Sequence, residues 1–408
     1  MFVKRVICLL AVLMLVGCQP LQQINNQVQT PAQQADPAKE KPTEKDPIKE
    51  QLSKMTLEEK IGQLVIAGVD GYTKDNHTLE LTSKYHVGGF IILGQNVENT
   101  SQLLTLTNSL KADNKKVSTI PLFLGIDQEG GKINRMPNQI LGTPTNKDIG
   151  KINNRSFSEQ VGELLGGELK SFGMNLDFAP VLDINSNSKN PVIGDRSFGN
   201  TPQLVSDLGV ATMKGIQSKK VISAVKHFPG HGDTSVDSHV GLPVVNNGLE
   251  RIEQFELIPF KAAIKQNVGM VMVAHILLPK LDDSYPASMS KYIITDLLRK
   301  QLDFNGVVIT DDMTMGAITK NYDIGQAAVR SVNAGADILL VCHDFDKETL
   351  VINALTVAAK NGSIHQNTID ESVYRILQLK QKYELADNTV PTVNVQNINN
   401  SIKKLFKK

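Results

Sequence analysis

The most regular feature of the chain is an alternation between short apolar runs and segments in which apolar residues recur every three or four positions. Eight runs have the length and composition of buried strands, and segments with helical spacing follow most of them. The predicted strands cover residues 64–67, 87–93, 121–126, 176–182, 221–225, 268–276, 306–310 and 336–342. The predicted helices include residues 101–112, 159–171, 203–218, 253–265, 291–301, 324–334 and 369–383.

This alternation predicts an α/β fold, and eight repeats over about 340 residues fit a single (β/α)8 barrel of the TIM type. A doubly wound open sheet is the alternative, and periodicity does not separate the two. Polar clusters follow at least five of the apolar runs. Because the loops of a barrel converge on one mouth, these clusters favour the barrel.

The N-terminal residues have the pattern of a secretion signal. Lys4 and Arg5 precede an apolar stretch at residues 6–16, and Cys18 follows shortly after. This order predicts a lipoprotein signal peptide at residues 1–17, with Cys18 as the lipidated first residue of the mature chain. A transmembrane anchor is the alternative, but a spanning helix needs roughly 20 apolar residues. We expect the lipid to tether the protein to the extracytoplasmic face of the bacterial cytoplasmic membrane.

Composition divides the rest of the chain into three parts. Residues 18–48 are rich in Gln, Asn, Pro, Lys and Glu, so they predict a flexible, disordered linker. The barrel domain is expected at residues 49–386, and Thr56 and Glu59 have the spacing of a capping box at a helix start. A polar and basic tail is expected at residues 387–408, and its basic end is expected to be a solvated helix or a frayed terminus rather than a membrane contact.

Charge and cysteine content narrow the function classes. The net charge is +1, and loss of the signal peptide, which holds Lys4 and Arg5 but no acidic residue, makes it −1. A nearly neutral chain without a dense basic block offers little to phosphates, so we expect no nucleic-acid partner. The protein is expected to be a monomer. Cys342 lies in an apolar run and is expected to be a small buried residue.

The densest group of chemically active residues is the segment 226–239, which directly follows the fifth predicted strand. A rigid strand fixes the base of such a loop while the loop reaches a substrate, so this position indicates an enzyme.

A zinc or manganese hydrolase is one alternative for this segment. Its ligands would be His227, His231, Asp233, Asp237 and His239. However, Pro229 and Gly230 separate the first two histidines, so no helix aligns their rings.

Other polar residues follow other predicted strands. They are Asp127, Asp183, Arg196, His275 and the neighbours Asp311 and Asp312. Arg196 could donate forked hydrogen bonds to a substrate or form a loop-fixing ion pair with Asp195. A carboxylate nucleophile, an acid/base and several hydroxyl-binding groups are what a glycosidase requires.

The segment 226–239, continued by Leu242 and Pro243, resembles the signature of the family 3 glycoside hydrolases in their β-N-acetylglucosaminidase branch. Shorter motifs resemble the same family in the same order, at residues 127–131, 194–199, 308–315 and 333–337. The resemblance covers roughly residues 52–383. It implies a barrel enzyme that removes terminal N-acetylglucosamine with retention of configuration; no cofactor and no metal are expected.

Residue by residue, the resemblance makes Asp311 the nucleophile that forms a covalent glycosyl-enzyme. It makes His239 the general acid/base and Asp237 the residue that orients its imidazole. Asp312 is the alternative nucleophile, but neighbouring strand residues point to opposite faces, so only one should enter the mouth. The implied sugar-binding residues are Asp127, Arg135, Arg196, Lys226 and His227. His231 and Asp233 are expected to hold the loop, and His275 to pack in the core or rim.

The preferred interpretation is a lipid-anchored exo-β-N-acetylglucosaminidase that acts on muropeptide fragments of peptidoglycan. The chain contains no Trp, which favours a compact pocket for one terminal sugar over a long groove of stacking platforms. Many family members take a Glu acid/base from a second domain, which we do not expect after residue 383. A phosphorolytic N-acetylglucosaminide-cleaving enzyme and a non-catalytic lipoprotein that binds wall glycan are the alternatives.

Overall fold

The computed structural model describes residues 46–406. The predicted signal peptide, the lipidation site Cys18 and most of the predicted linker lie outside these residues. Within them, no helix combines the length and apolar character that crossing a bilayer requires.

Eight parallel strands close into a barrel in chain order, and the last strand pairs with the first. They are β1 (Val65–Ala67), β2 (Gly89–Ile92), β3 (Phe123–Ile126), β4 (Leu176–Asp177), β5 (Ile222–Phe228), β6 (Met270–Val273), β7 (Val307–Asp312) and β8 (Ile338–Val341). Because each of these strands has a neighbour on both sides, the sheet is closed. The predicted (β/α)8 barrel is confirmed, and the open-sheet alternative is wrong.

Helices surround the barrel. They are α1 (Pro47–Lys54), α2 (Leu57–Gln63), α3 (Asn76–Ser83), α4 (Thr100–Val117), α5 (Asn146–Ile152), α6 (Arg155–Ser171), α7 (Pro202–Ser218), α8 (Leu249–Gln254), α9 (Leu257–Lys265), α10 (Gly316–Thr319), α11 (Ile324–Ala334), α12 (Phe345–Lys360), α13 (Gln366–Lys382) and α14 (Val395–Phe406). Short 3-10 turns lie at Gly94–Asn96, Gly194–Arg196 and Ala287–Met289, and a π-helix at Tyr292–Gln301.

Alternating strand residues build two apolar layers. One layer fills the barrel interior and includes Ile66, Phe123, Phe178, Met272 and Leu340, all 3% exposed or less. The other layer packs between the strands and the helices. The strands are therefore apolar on both faces, which explains their continuous apolar runs.

Asp46 and helix α1, the first residues that the structure describes, lie partly before the predicted domain boundary at residue 49. An Asp46 carboxylate oxygen accepts a hydrogen bond from the backbone N–H of Ile48 at 2.9 Å, which caps α1, and Pro47 suits the first turn. Ile48 is buried. The last residues of the predicted linker thus belong to α1. The capping box of Thr56 and Glu59 forms at the start of α2.

The C-terminal residues form an amphipathic helix, α14, where the composition predicted a tail. Ile402 is buried against the barrel domain at 3% exposure. The ring of Phe406 packs edge-on against Phe157 of α6, with centroids 5.8 Å apart. Apolar residues at helical spacing within this polar stretch were the overlooked signal.

Candidate active site

The residues predicted to act on substrate project from the carboxyl ends of three strands. Asp127 directly follows β3, Lys226 and His227 lie near the end of β5, and Asp311 lies at the end of β7. In a parallel barrel these ends meet at one mouth, so distant parts of the chain become neighbours.

A buried ionic cluster forms one wall of this mouth. The Lys226 ammonium, 2% exposed, contacts the Asp127 carboxylate and lies 2.7 Å from an oxygen of Glu129. Arg196 donates two parallel hydrogen bonds to Glu129, from Nε at 2.8 Å and from Nη2 at 2.7 Å. Glu129 therefore joins Lys226 to Arg196, and forked geometry fixes the guanidinium plane.

The shifts in pKa within this cluster favour the charged form of both Glu129 and Lys226. Burial raises the pKa of Glu129, but the charges of Arg196 and Lys226 outweigh burial and hold that pKa far below its usual value. Burial lowers the pKa of Lys226, but Asp127 and Glu129 outweigh it and leave that pKa raised. The wall thus presents oriented hydrogen-bonding groups whose charges largely cancel.

The alternative ion pair between Arg196 and Asp195 is wrong. Asp195 is partly exposed and pairs with Lys147 at 2.9 Å, whereas Arg196 turns inward to Glu129. The reason is burial: an inward guanidinium needs a buried partner, and an exposed carboxylate can pair at the surface.

His227 is oriented by Asp183. Its Nδ1 lies 2.6 Å from Asp183 Oδ2, and its Nε2 lies 3.5 Å from Nη2 of Arg196. Asp183 is fully buried and also accepts a hydrogen bond from the backbone N–H of His231 at 2.6 Å. Burial raises the pKa of Asp183, but the neighbouring His227 outweighs burial and lowers it. Asp183 therefore holds both the ring and the loop that follows.

The neighbours Asp311 and Asp312 have different surroundings. Asp312 accepts hydrogen bonds from the backbone N–H groups of Thr314 and Cys342, at 2.9 and 3.0 Å, and from the Thr314 hydroxyl at 2.6 Å. Asp311 accepts one, from the backbone N–H of Asp312 at 2.9 Å. The Asp312 carboxylate is thus occupied by hydrogen bonds within the protein, whereas Asp311 has lone pairs available to a substrate.

The surroundings of Asp311 favour its ionised form. Burial raises its pKa, but His227, His275 and Lys226, together with the Asp312 N–H, outweigh burial and lower it. A carboxylate in this state has the electron pair that nucleophilic attack requires.

His239 and Asp237 pair with each other at the rim of the site. Nδ1 of His239 lies 2.8 Å from Oδ1 of Asp237, and the His239 backbone N–H donates to the same oxygen at 2.9 Å. The imidazole is 67% exposed, and among residues 46–406 it forms no hydrogen bond with Asp311. The loop rests on α10, where the Ala317 N–H donates to the Ser238 carbonyl at 3.0 Å.

His231 serves the loop. Its Nδ1 lies 2.8 Å from the Thr234 hydroxyl and its Nε2 lies 3.2 Å from the Ser238 hydroxyl. Burial lowers the pKa of His231 to about 4, so the ring is neutral. Asp233 accepts a hydrogen bond from Asn247 at 3.0 Å. Within residues 46–406, no three residues of the alternative metal set bring their ligand atoms within 4.8 Å of one another.

Two other residues noted in the sequence are part of the barrel packing. His275 is fully buried; its Nε2 lies 3.0 Å from the Asp312 carbonyl and its Nδ1 2.6 Å from the Ser288 hydroxyl. A carbonyl only accepts, so Nε2 carries the proton and Nδ1 accepts from Ser288. Cys342 is a buried free cysteine, and burial raises the pKa of its thiol well above the usual value.

Arg135 lies on the loop after β3 and packs over Gly94, where an added Cβ would lie 3.3 Å from the arginine Cδ. Its backbone N–H donates to Oε1 of Gln128 at 2.8 Å. The Gln128 amide nitrogen donates to Asn134 at 2.8 Å and to Glu168 at 3.0 Å. The Gln128 side chain thus braces the loop that holds Arg135.

Sequence reasoning left three of these residues without a role: Gln128, Glu129 and Asp183. All three lie in the polar clusters that follow β3 and β4, so their positions marked them as candidates. Their partners are 6 to 97 residues away along the chain, and spacing alone does not pair them.

Residues 56–379 match the model of the glycosyl hydrolase family 3 N-terminal domain. Beta-hexosaminidase A of Pseudoalteromonas piscicida is 38% identical over 338 residues, which cover 77% of this chain and 56% of that protein. A beta-hexosaminidase of Nitrosomonas eutropha is 31% identical over 327 residues, which cover 78% of this chain and 92% of that protein.

Solved structures give the same assignment. A glycoside hydrolase family 3 β-N-acetylglucosaminidase from Paenibacillus sp. superposes with a TM-score of 0.82 at 38% identity. The superposition covers 86% of this chain and 68% of that chain. The chain thus spans little more than half of the Pseudoalteromonas relative and nearly all of the Nitrosomonas one. It belongs to glycosyl hydrolase family 3 and is a glycoside hydrolase.

Proposed function

We propose that the protein is a retaining exo-β-N-acetylglucosaminidase that hydrolyses terminal N-acetylglucosamine from peptidoglycan-derived glycans through a covalent glycosyl-aspartate. The main support is the Asp311 carboxylate, which within residues 46–406 accepts a single hydrogen bond, from the backbone, and whose ionised form the neighbouring His227 and Lys226 favour. The names of the relatives, beta-hexosaminidase and β-N-acetylglucosaminidase, support the sugar class.

In the first step Asp311 attacks the anomeric carbon and forms a carbon–oxygen bond to the sugar. The glycosidic bond breaks, and the leaving oxygen takes a proton from His239. In the second step water attacks the same carbon, His239 accepts the water proton, and Asp311 is released. Asp237 stabilises the protonated imidazole that exists before the first step and again after the second, because its carboxylate lies 2.8 Å from Nδ1.

The ionic wall suits a neutral sugar. Lys226 and Arg196 are each neutralised by carboxylates, so the wall offers directed donors and acceptors rather than a net charge. In this proposal the sugar hydroxyls and acetamido group bind to Asp127, Arg135, Arg196, Lys226 and His227. A substrate with its own charge would disturb the balance of a buried pair, which is costly.

The decisive experiment replaces Asp311 by Asn, which keeps the shape and removes the nucleophile. We expect hydrolysis of a chromogenic N-acetylglucosaminide to fall by about a thousandfold or more. Asp312→Asn is the matched control, because an amide oxygen still accepts from the Thr314 and Cys342 N–H groups. Wild-type rates in Asp311→Asn, or labelling of another residue by a fluoro-sugar, would refute the nucleophile.

The same assay separates hydrolysis from phosphorolysis. With phosphate present, a hydrolase releases free N-acetylglucosamine, whereas a phosphorylase releases its 1-phosphate. The muropeptide substrate and the lipid anchor at Cys18, which places the enzyme at the extracytoplasmic face of the cytoplasmic membrane, belong to this proposal and rest on the sequence.

A further inference from the structure

Residues 387–406 lie beyond the family match, which ends at residue 379, and we call them the C-terminal strap. The strap starts at the end of the barrel opposite the active site. There Asp387 accepts hydrogen bonds from the side chain of Asn114 at 2.6 Å and from the backbone N–H of Leu122, which precedes β3, at 3.2 Å.

From this point the strap follows the outer wall of the barrel. Val390 exchanges two hydrogen bonds with the Asn108 side chain of α4, at 2.8 and 2.9 Å. Helix α14 then lies along α6, with Ile402 buried. Its last residues reach the first turn of α6, where Phe406 meets Phe157. In a barrel this turn lies on the active-site side.

On that side the strap binds the loop between β3 and α5, residues 127–145. The Asn399 side chain donates to the Gln139 carbonyl at 2.8 Å and accepts from the Leu141 N–H at 2.9 Å. One amide thus satisfies a backbone acceptor and a backbone donor at the tip of the loop that contains Arg135.

Arg135 depends on its backbone for its position. Within residues 46–406 it forms no ion pair, and its Nε is buried without a hydrogen-bond partner. Arg196 and Lys226, in contrast, are locked by Glu129. On one side the Arg135 backbone is held by Gln128. On the other side it continues directly into the loop tip.

We propose that the C-terminal strap sets the position of the β3–α5 loop, and that Asn399 is a positioning residue for Arg135. The link is short, because the Ile140 N–H donates to the Pro137 carbonyl at 2.8 Å and closes a tight turn between Arg135 and the Asn399 contacts. A displaced tip therefore displaces Arg135. The inference rests on the proposed function, in which Arg135 binds the sugar.

The kinetic test compares Asn399→Ala with Asn400→Ala. Asn400 is exposed, and within residues 46–406 its side chain hydrogen-bonds only to Gln396 of the same helix, at 2.8 Å. For Asn399→Ala we expect KM for a chromogenic N-acetylglucosaminide to rise about 3- to 10-fold with kcat within about twofold, since uniform binding is lost. Asn400→Ala should match the wild type. In an Arg135→Ala background the Asn399→Ala substitution should not raise KM further. A full additional increase in KM would show that Asn399 does not act through Arg135.

A second measurement does not depend on activity. Hydrogen exchange of the Leu141 amide should be faster in Asn399→Ala than in the wild type and unchanged in Asn400→Ala. If the wild type has no glycosidase activity, the proposed function fails, while this measurement still tests whether the strap holds the loop. Unchanged exchange at Leu141 in Asn399→Ala would overturn the inference, as would a loss of kcat with constant KM.

Discussion

At the scale of single residues, chemical role follows from which lone pairs and protons are already in use. Asp311 and Asp312 are the same amino acid in adjacent positions, yet three hydrogen bonds bind the Asp312 carboxylate to the loops around it. Asp311 accepts one and is left available. His231 and His275 are likewise committed to hydroxyl and carbonyl partners, whereas His239 presents an exposed ring.

The acid role of His239 predicts a dependence on the leaving group. In His239→Ala we expect kcat/KM to fall by about 100- to 10,000-fold for substrates with poor leaving groups, which need protonation. The loss should be much smaller for aryl glycosides with good leaving groups. The measurement is kcat/KM for a series of aryl N-acetylglucosaminides, with His365→Ala, an exposed histidine at the start of α13, as control. Equal losses across the series would contradict general acid catalysis.

At the scale of elements, Glu129 connects three segments of the barrel mouth. It lies after β3 and contacts Lys226 of β5 and Arg196 of the segment after β4. Because each of these groups is largely buried, every charge in the cluster needs a partner of opposite charge. The cluster therefore fixes the shape of the wall before any sugar binds.

This arrangement predicts a large cost for neutralising Glu129. In Glu129→Gln we expect the free energy of unfolding to fall by about 3–5 kcal/mol, because Arg196 and Lys226 lose a buried counter-charge. Asp195→Asn is the control, since its pair with Lys147 is exposed and contributes little to stability. Urea denaturation of both variants measures the difference. If the free energy of unfolding changed equally little in both variants, the Glu129 charge would not be what stabilises the buried cluster.

At the scale of the whole molecule, Glu168 makes stability depend on pH. Burial raises the pKa of this α6 carboxyl to about 8, and among residues 46–406 one of its oxygens has no hydrogen-bond partner. The unfolded chain releases this proton near pH 4.3. Between that pH and about 8 the folded chain binds more protons than the unfolded chain, so the contribution of Glu168 to stability decreases as pH rises.

Glu168→Gln removes this dependence, because an amide has no proton to lose in this range. We expect the variant to gain stability relative to the wild type between pH 5 and pH 8.5, by a few kcal/mol on the order of the linkage. Denaturant unfolding at the two pH values gives the difference, and Glu163→Gln on the same helix is the control. A difference between variant and wild type that is the same at both pH values would contradict a raised pKa.

The sequence predicted the parts of the molecule that depend on near neighbours. The apolar runs marked all eight strands, although β4 is shorter than predicted, and Thr56 with Glu59 marked the start of α2. Motif spacing placed Asp127, Lys226 and Asp311 at strand ends. The predictions for the linker boundary and the tail differ from the structure, because the burial of Ile48 and of Ile402 depends on contacts with distant residues.

By itself, then, the sequence determined the eight strands along the chain and the polar residues that follow at least five of them, since periodicity and strand ends are local properties of the chain. Closure of these strands into a barrel came from the structure. Only the tertiary structure decided the pairing of Arg196 with Glu129, the difference between Asp311 and Asp312, and the attachment of the C-terminal strap to the Arg135 loop. Partners in these contacts are far apart along the chain, and burial selects among many chemically equivalent carboxylates and amides. That selection requires the packed barrel.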